Sequence, residues 1–71
     1  MVDAKLLREK ISKNNMTVSD VASKMGIDKA TLYRRIADPE SFTIGEALKI
    51  TEILDLSHAE SAAIFFANAV A

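Results

Sequence analysis

The sequence has no cysteine and a single histidine, His58. Without cysteine the chain has neither a disulfide nor a thiolate metal site, and one histidine is too few for the common zinc sites. Only two glycines and one proline occur among the 71 residues, which is too few turn residues for an all-β architecture. The length allows one small domain. We therefore expect a single all-α domain over residues 1–71, with no cofactor and no metal.

The sequence offers no candidate catalytic residues and no candidate membrane-spanning segment. No nucleophile is paired with a base, and the acidic residues are scattered over helix starts. The most apolar stretch, residues 62–71, is about half of the roughly 20 residues that span a bilayer. The first ten residues mix acids and bases and lack the apolar run of a signal peptide. We expect a cytoplasmic protein that is not an enzyme and has no membrane partner.

The net charge of −1 conceals an asymmetry between the two halves of the chain. Residues 1–37 carry eight Lys or Arg against four Asp or Glu, a net charge of +4. Residues 38–71 carry only Lys49 against six acids, a net charge of −5. Such an asymmetry suggests an anionic partner for the basic half, with nucleic acid the first candidate.

Start and stop signals predict five short helices, near residues 3–13, 18–24, 29–37, 44–54 and 58–68. Three begin at a Ser or Thr followed three residues later by an acid, the pattern of a capping box: Thr17–Asp20, Thr43–Glu46 and Ser57–Glu60. Asp28 is the predicted cap of the third helix, and Gly26 ends the second in a left-handed turn. The apolar side of the fourth helix is predicted to be Ile44, Ala47, Leu48, Thr51 and Leu54.

The second and third helices and the turn between them form the most informative stretch. Residues 18–36 read V-S-D-V-A-S-K-M-G-I-D-K-A-T-L-Y-R-R-I, which resembles the helix-turn-helix of small phage and bacterial repressors, the lambda-repressor and Cro-like (XRE-type) group. The resemblance implies a five-helix domain with its helix-turn-helix at about 18–37, a double-stranded DNA operator and a role in transcription regulation. The sequence departs from the family at Arg35, where an apolar residue is usual; here the apolar residue follows at Ile36.

The rotation of the third helix follows from its two large aliphatic residues. At 100° per residue, Leu32 and Ile36 lie about 40° apart and face the core. Arg34 and Ala30 then lie opposite, flanked by Thr31, Tyr33 and Ala37, with Lys29 at the leading end. Arg and Lys donors and small apolar groups are what a helix needs to read base edges in the major groove.

Individual roles combine this geometry with the resemblance. By resemblance, Lys29, Ala30 and Arg34 match the base-reading positions, and Thr17 and Val18 lie where the second helix meets the DNA backbone. Arg34 can donate two hydrogen bonds to guanine, and the Thr31 methyl can contact thymine. The remaining assignments are a phosphate or sugar contact for Tyr33, a phosphate contact or an ion pair for Arg35, and non-specific phosphate attraction for Arg8, Lys13 and Lys24.

The fifth helix is apolar on almost every side, which is typical of a helix buried on more than one face. Phe65 and Phe66 point about 100° apart, so only one is expected to face the core. We expect the other, with Ile64 or Val70, to form the two-fold contact of a homodimer. The alternative is that the helix is buried between the first and fourth helices of one chain.

These observations predict a repressor of the Cro type, of phage or prophage origin, that binds its operator as a dimer. Paired recognition helices read half-sites about one helical turn apart. The alternative is a protein-interaction module, an accessory factor or anti-repressor that has the same fold and does not read DNA. Such a module has no need of Lys29, Tyr33 and Arg34 together on an outer face.

Overall fold

The computed structural model describes residues 2–66 and consists there of five α-helices and one short 3-10 turn. The helices are α1 (Ala4–Lys13), α2 (Val18–Met25), α3 (Lys29–Ala37), α4 (Ile44–Ile53) and α5 (His58–Phe65), and the 3-10 turn is Pro39–Ser41. This part of the chain contains no strand. The all-α prediction with five helices is confirmed, and α1 to α4 end within one residue of their predicted positions.

Side chains that cap helix starts account for most of these boundaries. All three predicted capping boxes are present, those headed by Thr17, Thr43 and Ser57. In each, the hydroxyl accepts a hydrogen bond from the amide three residues later, while the acid there accepts from the amide of the cap residue. Asp3 caps α1 by accepting from the Leu6 amide at 3.0 Å. Asp28 occupies the cap position of α3, as predicted, but its side chain makes no capping hydrogen bond.

Within residues 2–66, the core is formed by thirteen buried apolar residues from all five helices. These are Leu7, Ile11, Val18, Val21, Ala22, Met25, Leu32, Ile36, Ala47, Ile50, Leu54, Ile64 and Phe65. Phe42 lies at its edge and meets the Phe65 ring edge to face, with ring centroids 5.8 Å apart. The side chains of Leu32 and Ile36 point inward, as the helical wheel of the third helix predicts.

The predicted apolar side of α4 is wrong in two of its five residues. Ala47 and Leu54 are buried, but the third core residue of this helix is Ile50, and Ile44 and Leu48 are 73% and 64% exposed. At 100° per residue, Leu48 lies about 160° from Ile50, so the two cannot face the same core. The i, i+4 pair of Ile44 and Leu48 suggests a buried face; the core instead selects the i, i+3 pair of Ala47 and Ile50.

At the end of α5, Phe65 faces the core and Phe66 does not, so that only one of the two phenylalanines is buried, as predicted. Ile64 is buried beside Phe65 in the chain's own core, and the two-fold contact stays a prediction. The helix packs against α1 and α4, which is the alternative considered above. It ends at Phe65 instead of near residue 68, and Phe66 follows it with 47% of its surface exposed. Asn68 and Val70 lie outside the described residues.

Candidate nucleic-acid interface

The turn between α2 and α3 fixes the angle between the two helices. Gly26 adopts the left-handed conformation at φ +76°, which glycine tolerates because it has no Cβ. The Gly26 amide donates to the Ser23 carbonyl and the Ile27 amide to the Ala22 carbonyl, both at 3.1 Å. This pair of hydrogen bonds is a Schellman motif, which terminates α2 and redirects the chain into α3.

Close packing holds the two helices together behind this turn. Val21 and Ala22 of α2 and Leu32 of α3 are all less than 2% exposed. The small Ala22 side chain lies in this contact and allows the helices to cross closely. This packing buries one face of α3 against the core and leaves its opposite face exposed to solvent.

The free face of α3 is the predicted one. We call it the outer face; its exposed residues are Lys29, Ala30, Tyr33, Arg34 and Ala37. Tyr33 is 46% exposed and is the one large hydrophobic residue among them. Tyr33 and Arg34 thus lie at the middle of the outer face, with Ala30 near its start and Ala37 at its end.

Thr31 makes a hydrogen bond within the chain in addition to its predicted contact with DNA, which stays a prediction. It is half-buried at the edge of the outer face, and its hydroxyl accepts a hydrogen bond from Nη2 of Arg34 at 3.2 Å. The hydrogen bond orients the guanidinium along the helix while leaving its other donors free. Thr31 therefore positions Arg34, a role that its spacing of three residues allows on a helix.

Arg35 is bound within the chain. Its Nε donates to both carboxylate oxygens of Glu46, at 3.1 and 3.2 Å. Partial burial raises the pKa of Glu46, but the amide of Thr43 and the guanidinium of Arg35 outweigh this effect and leave the pKa lowered. Of the two roles considered for Arg35, the structure shows the ion pair, which ties α3 to the first turn of α4.

The start of α2 is less open to a partner than predicted. Thr17 is exposed, and its hydroxyl accepts a hydrogen bond from the Asp20 amide at 3.1 Å. Val18 was predicted to contact the DNA backbone, but its side chain is buried in the core. The carboxylate of Asp20 also lies at this helix start. Hydrogen bonds from the amide and the hydroxyl of Thr17 lower its pKa, so an anion already occupies the position.

A groove between α1 and α3 adds two basic residues to the site. Tyr33, Ile36 and Ala37 form one wall, and α1 forms the other with Ala4, Lys5, Arg8, Glu9 and Ser12. Lys5 and Arg8 are exposed and border the same groove as Tyr33. Arg8 is predicted from the sequence only to attract phosphates non-specifically, and Lys5 is not among the predicted site residues. Lys5, Arg8 and Ser12 are spaced three and four residues apart, which places them on one face of α1. This spacing is a sequence signal that can identify the α1 wall of the groove.

A match to a protein family identifies this pair of helices as a helix-turn-helix. The family model described as the Cro/C1-type HTH DNA-binding domain matches residues 6–60, more than half of the chain. The chain belongs to the Cro/C1-type helix-turn-helix family. Searches of curated proteins and of solved structures returned no match.

Membership of the Cro/C1-type family means that the domain binds DNA, and it supports a role in transcription regulation. The matched segment contains the whole helix-turn-helix and the capping box at Ser57. Within residues 2–66, no helix is long and apolar enough to cross a membrane. The same residues include no group of three His, Asp or Glu side chains arranged to hold a metal ion.

Proposed function

We propose that this protein is a sequence-specific transcription regulator that inserts α3 into the major groove of an operator. The observation that carries the proposal is the outer face of α3, which opposes the buried Leu32 and Ile36. A major groove admits one α-helix, and its base pairs are distinguished by donors, acceptors and methyl groups. In this arrangement Arg34 donates to a guanine, Lys29 reaches a guanine or a phosphate, and Ala30 packs on a thymine methyl.

The flanks of α3 supply the contacts that orient the domain. Lys5, Arg8 and Tyr33 border one groove and bind the phosphates of one strand. The Thr17 hydroxyl donates to a phosphate near the start of α2. These contacts are independent of sequence, so they contribute affinity that falls as the salt concentration rises. Arg35 is not among them because Glu46 holds its guanidinium.

The regulatory role that fits this architecture is repression by occupancy. A helix-turn-helix domain bound across a promoter blocks the polymerase without chemistry or a cofactor. The resemblance to small phage and prophage repressors favours a cytoplasmic Cro-type protein of that origin. Because a two-fold operator has two half-sites, the protein binds it as a homodimer.

The test is a binding measurement with a matched pair of variants. Selection from a random duplex library supplies the operator, and fluorescence anisotropy compares it with a scrambled duplex at two salt concentrations. We expect tighter binding to the selected operator, weakening at higher salt. Arg34→Gln is expected to weaken operator binding by about 1–3 kcal/mol, about 5- to 150-fold. Lys49→Gln removes the same charge from α4 and is expected to change affinity by less than about twofold.

Two outcomes contradict the proposal. Equal effects of Arg34→Gln and Lys49→Gln would mean that α3 does not read the operator. An absence of binding to any duplex at low salt favours the protein-interaction module, whose partner then has to be sought.

A further inference from the structure

The groove between α1 and α3 contains apolar residues that phosphate contacts leave without a partner. Its volume is about 690 Å³, within the range of about 300–1,000 Å³ that is typical of sites for small molecules. Ala4 of α1 and Ile36 and Ala37 of α3 line it. The exposed ring of Tyr33 forms part of the α3 wall. A phosphate at the rim of the groove uses only charged and hydroxyl groups, so this apolar space stays unfilled.

The charged residues of the groove belong to its α1 wall. Lys5 and Arg8 are exposed, and neither forms an ion pair within residues 2–66. Glu9 is the acid that lines the groove, and two cations against one acid leave its charged side chains with a net charge of +1. Because the two cations have no carboxylate partner there, an anionic group can gain charge-assisted hydrogen bonds from them.

The two walls together suit a ligand with an apolar part and an anionic part. The apolar body lies against Ile36, Ala37 and the ring of Tyr33, on which an aromatic system can stack. The anionic group then reaches Lys5 or Arg8 on the opposite wall. A purely apolar ligand leaves both cations unused, and an inorganic anion leaves the apolar wall unused, so neither matches the whole groove.

We infer that the groove between α1 and α3 is a binding site for a small amphipathic anion, an aromatic body that bears a carboxylate. The proposed function assigns Lys5, Arg8 and Tyr33 to one DNA strand, and a ligand in the groove covers all three. The ligand and the operator therefore compete, and binding of one weakens binding of the other. The inference rests on the proposed function for this coupling, whereas the binding site itself does not depend on DNA.

The first experiment uses 2-naphthoate as the probe and 2-naphthamide as its uncharged counterpart of nearly the same shape. Each is titrated into the uniformly 15N-labelled 71-residue chain without DNA, and amide chemical shifts are recorded. We expect naphthoate to bind with a dissociation constant on the order of 100 μM and to shift amides at residues 4–12 and 33–37. Because naphthamide lacks the charge, we expect it to bind about two- to fivefold more weakly.

Two variants at adjacent residues test the role of charge in opposite directions. Arg8→Gln removes a cation from the groove and is expected to weaken naphthoate binding about two- to fivefold. Glu9→Gln removes the acid and is expected to strengthen it by a similar factor, while naphthamide binding stays unchanged in both variants. Lys49→Gln, on α4 and outside the groove, is the control. All three residues are exposed, and the thermal unfolding midpoint checks that each variant folds.

Competition with DNA tests the coupling between the groove and the operator. At about 1 mM naphthoate, roughly ten times the expected dissociation constant, we expect operator binding to weaken by up to about tenfold in fluorescence anisotropy. Sodium acetate at the same concentration contributes the same ionic strength without an aromatic body, and we expect it to leave operator binding unchanged.

The outcomes distinguish this inference from the proposed function. Naphthoate shifts in the groove, without binding to any duplex, support the ligand site and contradict the proposed function. Operator binding without any groove shifts overturns the inference alone, and so does equal affinity for naphthoate and naphthamide. Naphthoate that saturates the groove without weakening operator binding overturns the coupling.

Discussion

Arg34 and Arg35 are neighbours in sequence with different surroundings, about 100° apart on α3. Arg34 is exposed and oriented by the hydroxyl of Thr31. Arg35 is held by the carboxylate of Glu46, eleven residues along the chain. The side of α3 that carries each arginine follows from the spacing of Leu32 and Ile36, but the partner of Arg35 depends on how α4 packs. Of two neighbouring arginines, one is thus exposed on the outer face and the other is bound to a carboxylate within the chain.

The hydrogen bond of Thr31 gives a prediction that separates its hydroxyl from its methyl group. Thr31→Val keeps the shape and removes the acceptor, and we expect operator affinity to fall by about 0.5–1.5 kcal/mol, about two- to tenfold. Thr31→Ser keeps the hydroxyl and is expected to bind with nearly wild-type affinity. Anisotropy on the selected operator measures both variants. The reverse order, with the serine variant the weaker, would show that the methyl group contacts a base and that the hydrogen bond is unimportant.

Among the helices, the extent to which sequence determines structure differs between α3 and α4. The two large aliphatic residues of α3 define one buried side, so its outer face is predictable. Apolar residues lie on several sides of α4, and no local rule selects Ile50 over Leu48 as the residue that meets the core. Asp55, which adopts a left-handed conformation at φ +50°, was likewise not predicted, since its conformation is imposed by the link between α4 and α5.

The ion pair between α1 and α5 predicts how the stability of the folded state depends on pH. Lys10 donates to Glu60 at 2.8 Å, and this hydrogen bond, with those from Ser57, lowers the pKa of Glu60 to about 2. A lowered carboxyl pKa stabilises the folded state above the ordinary value near 4.5, and the effect disappears as the pH falls toward 2. Glu60→Gln retains the capping box but loses the charge.

Thermal unfolding of Glu60→Gln across the pH range checks this linkage. We expect the variant to unfold at a lower temperature than the wild type at neutral pH, with the difference disappearing between about pH 5 and about pH 2. Glu52→Gln is the control, because Glu52 is exposed and forms no ion pair within the described residues. A difference between Glu60→Gln and the wild type that persists unchanged at pH 2 would exclude the ion pair as its cause.

At the scale of the whole molecule, the two charged halves of the sequence correspond to different helices. The basic half forms α1 to α3 and includes the outer face and the groove with Lys5 and Arg8. The acidic half forms α4 and α5, and three of its large apolar side chains are exposed: Ile44, Leu48 and Phe66. Composition alone predicts this division, and the capping boxes predict most of the helix starts. The packing of the five helices determines which apolar residues remain exposed. This packing cannot be read from any single segment of the sequence.

Amide chemical-shift mapping can show whether α3 meets DNA with its outer face. Uniformly 15N-labelled protein is titrated with the selected operator and, separately, with a scrambled duplex of the same length. We expect the largest operator-specific shifts at residues 29–34, with smaller ones at Lys5, Arg8 and Thr17. Shifts confined to α4 and α5, with α3 unaffected, would contradict the account.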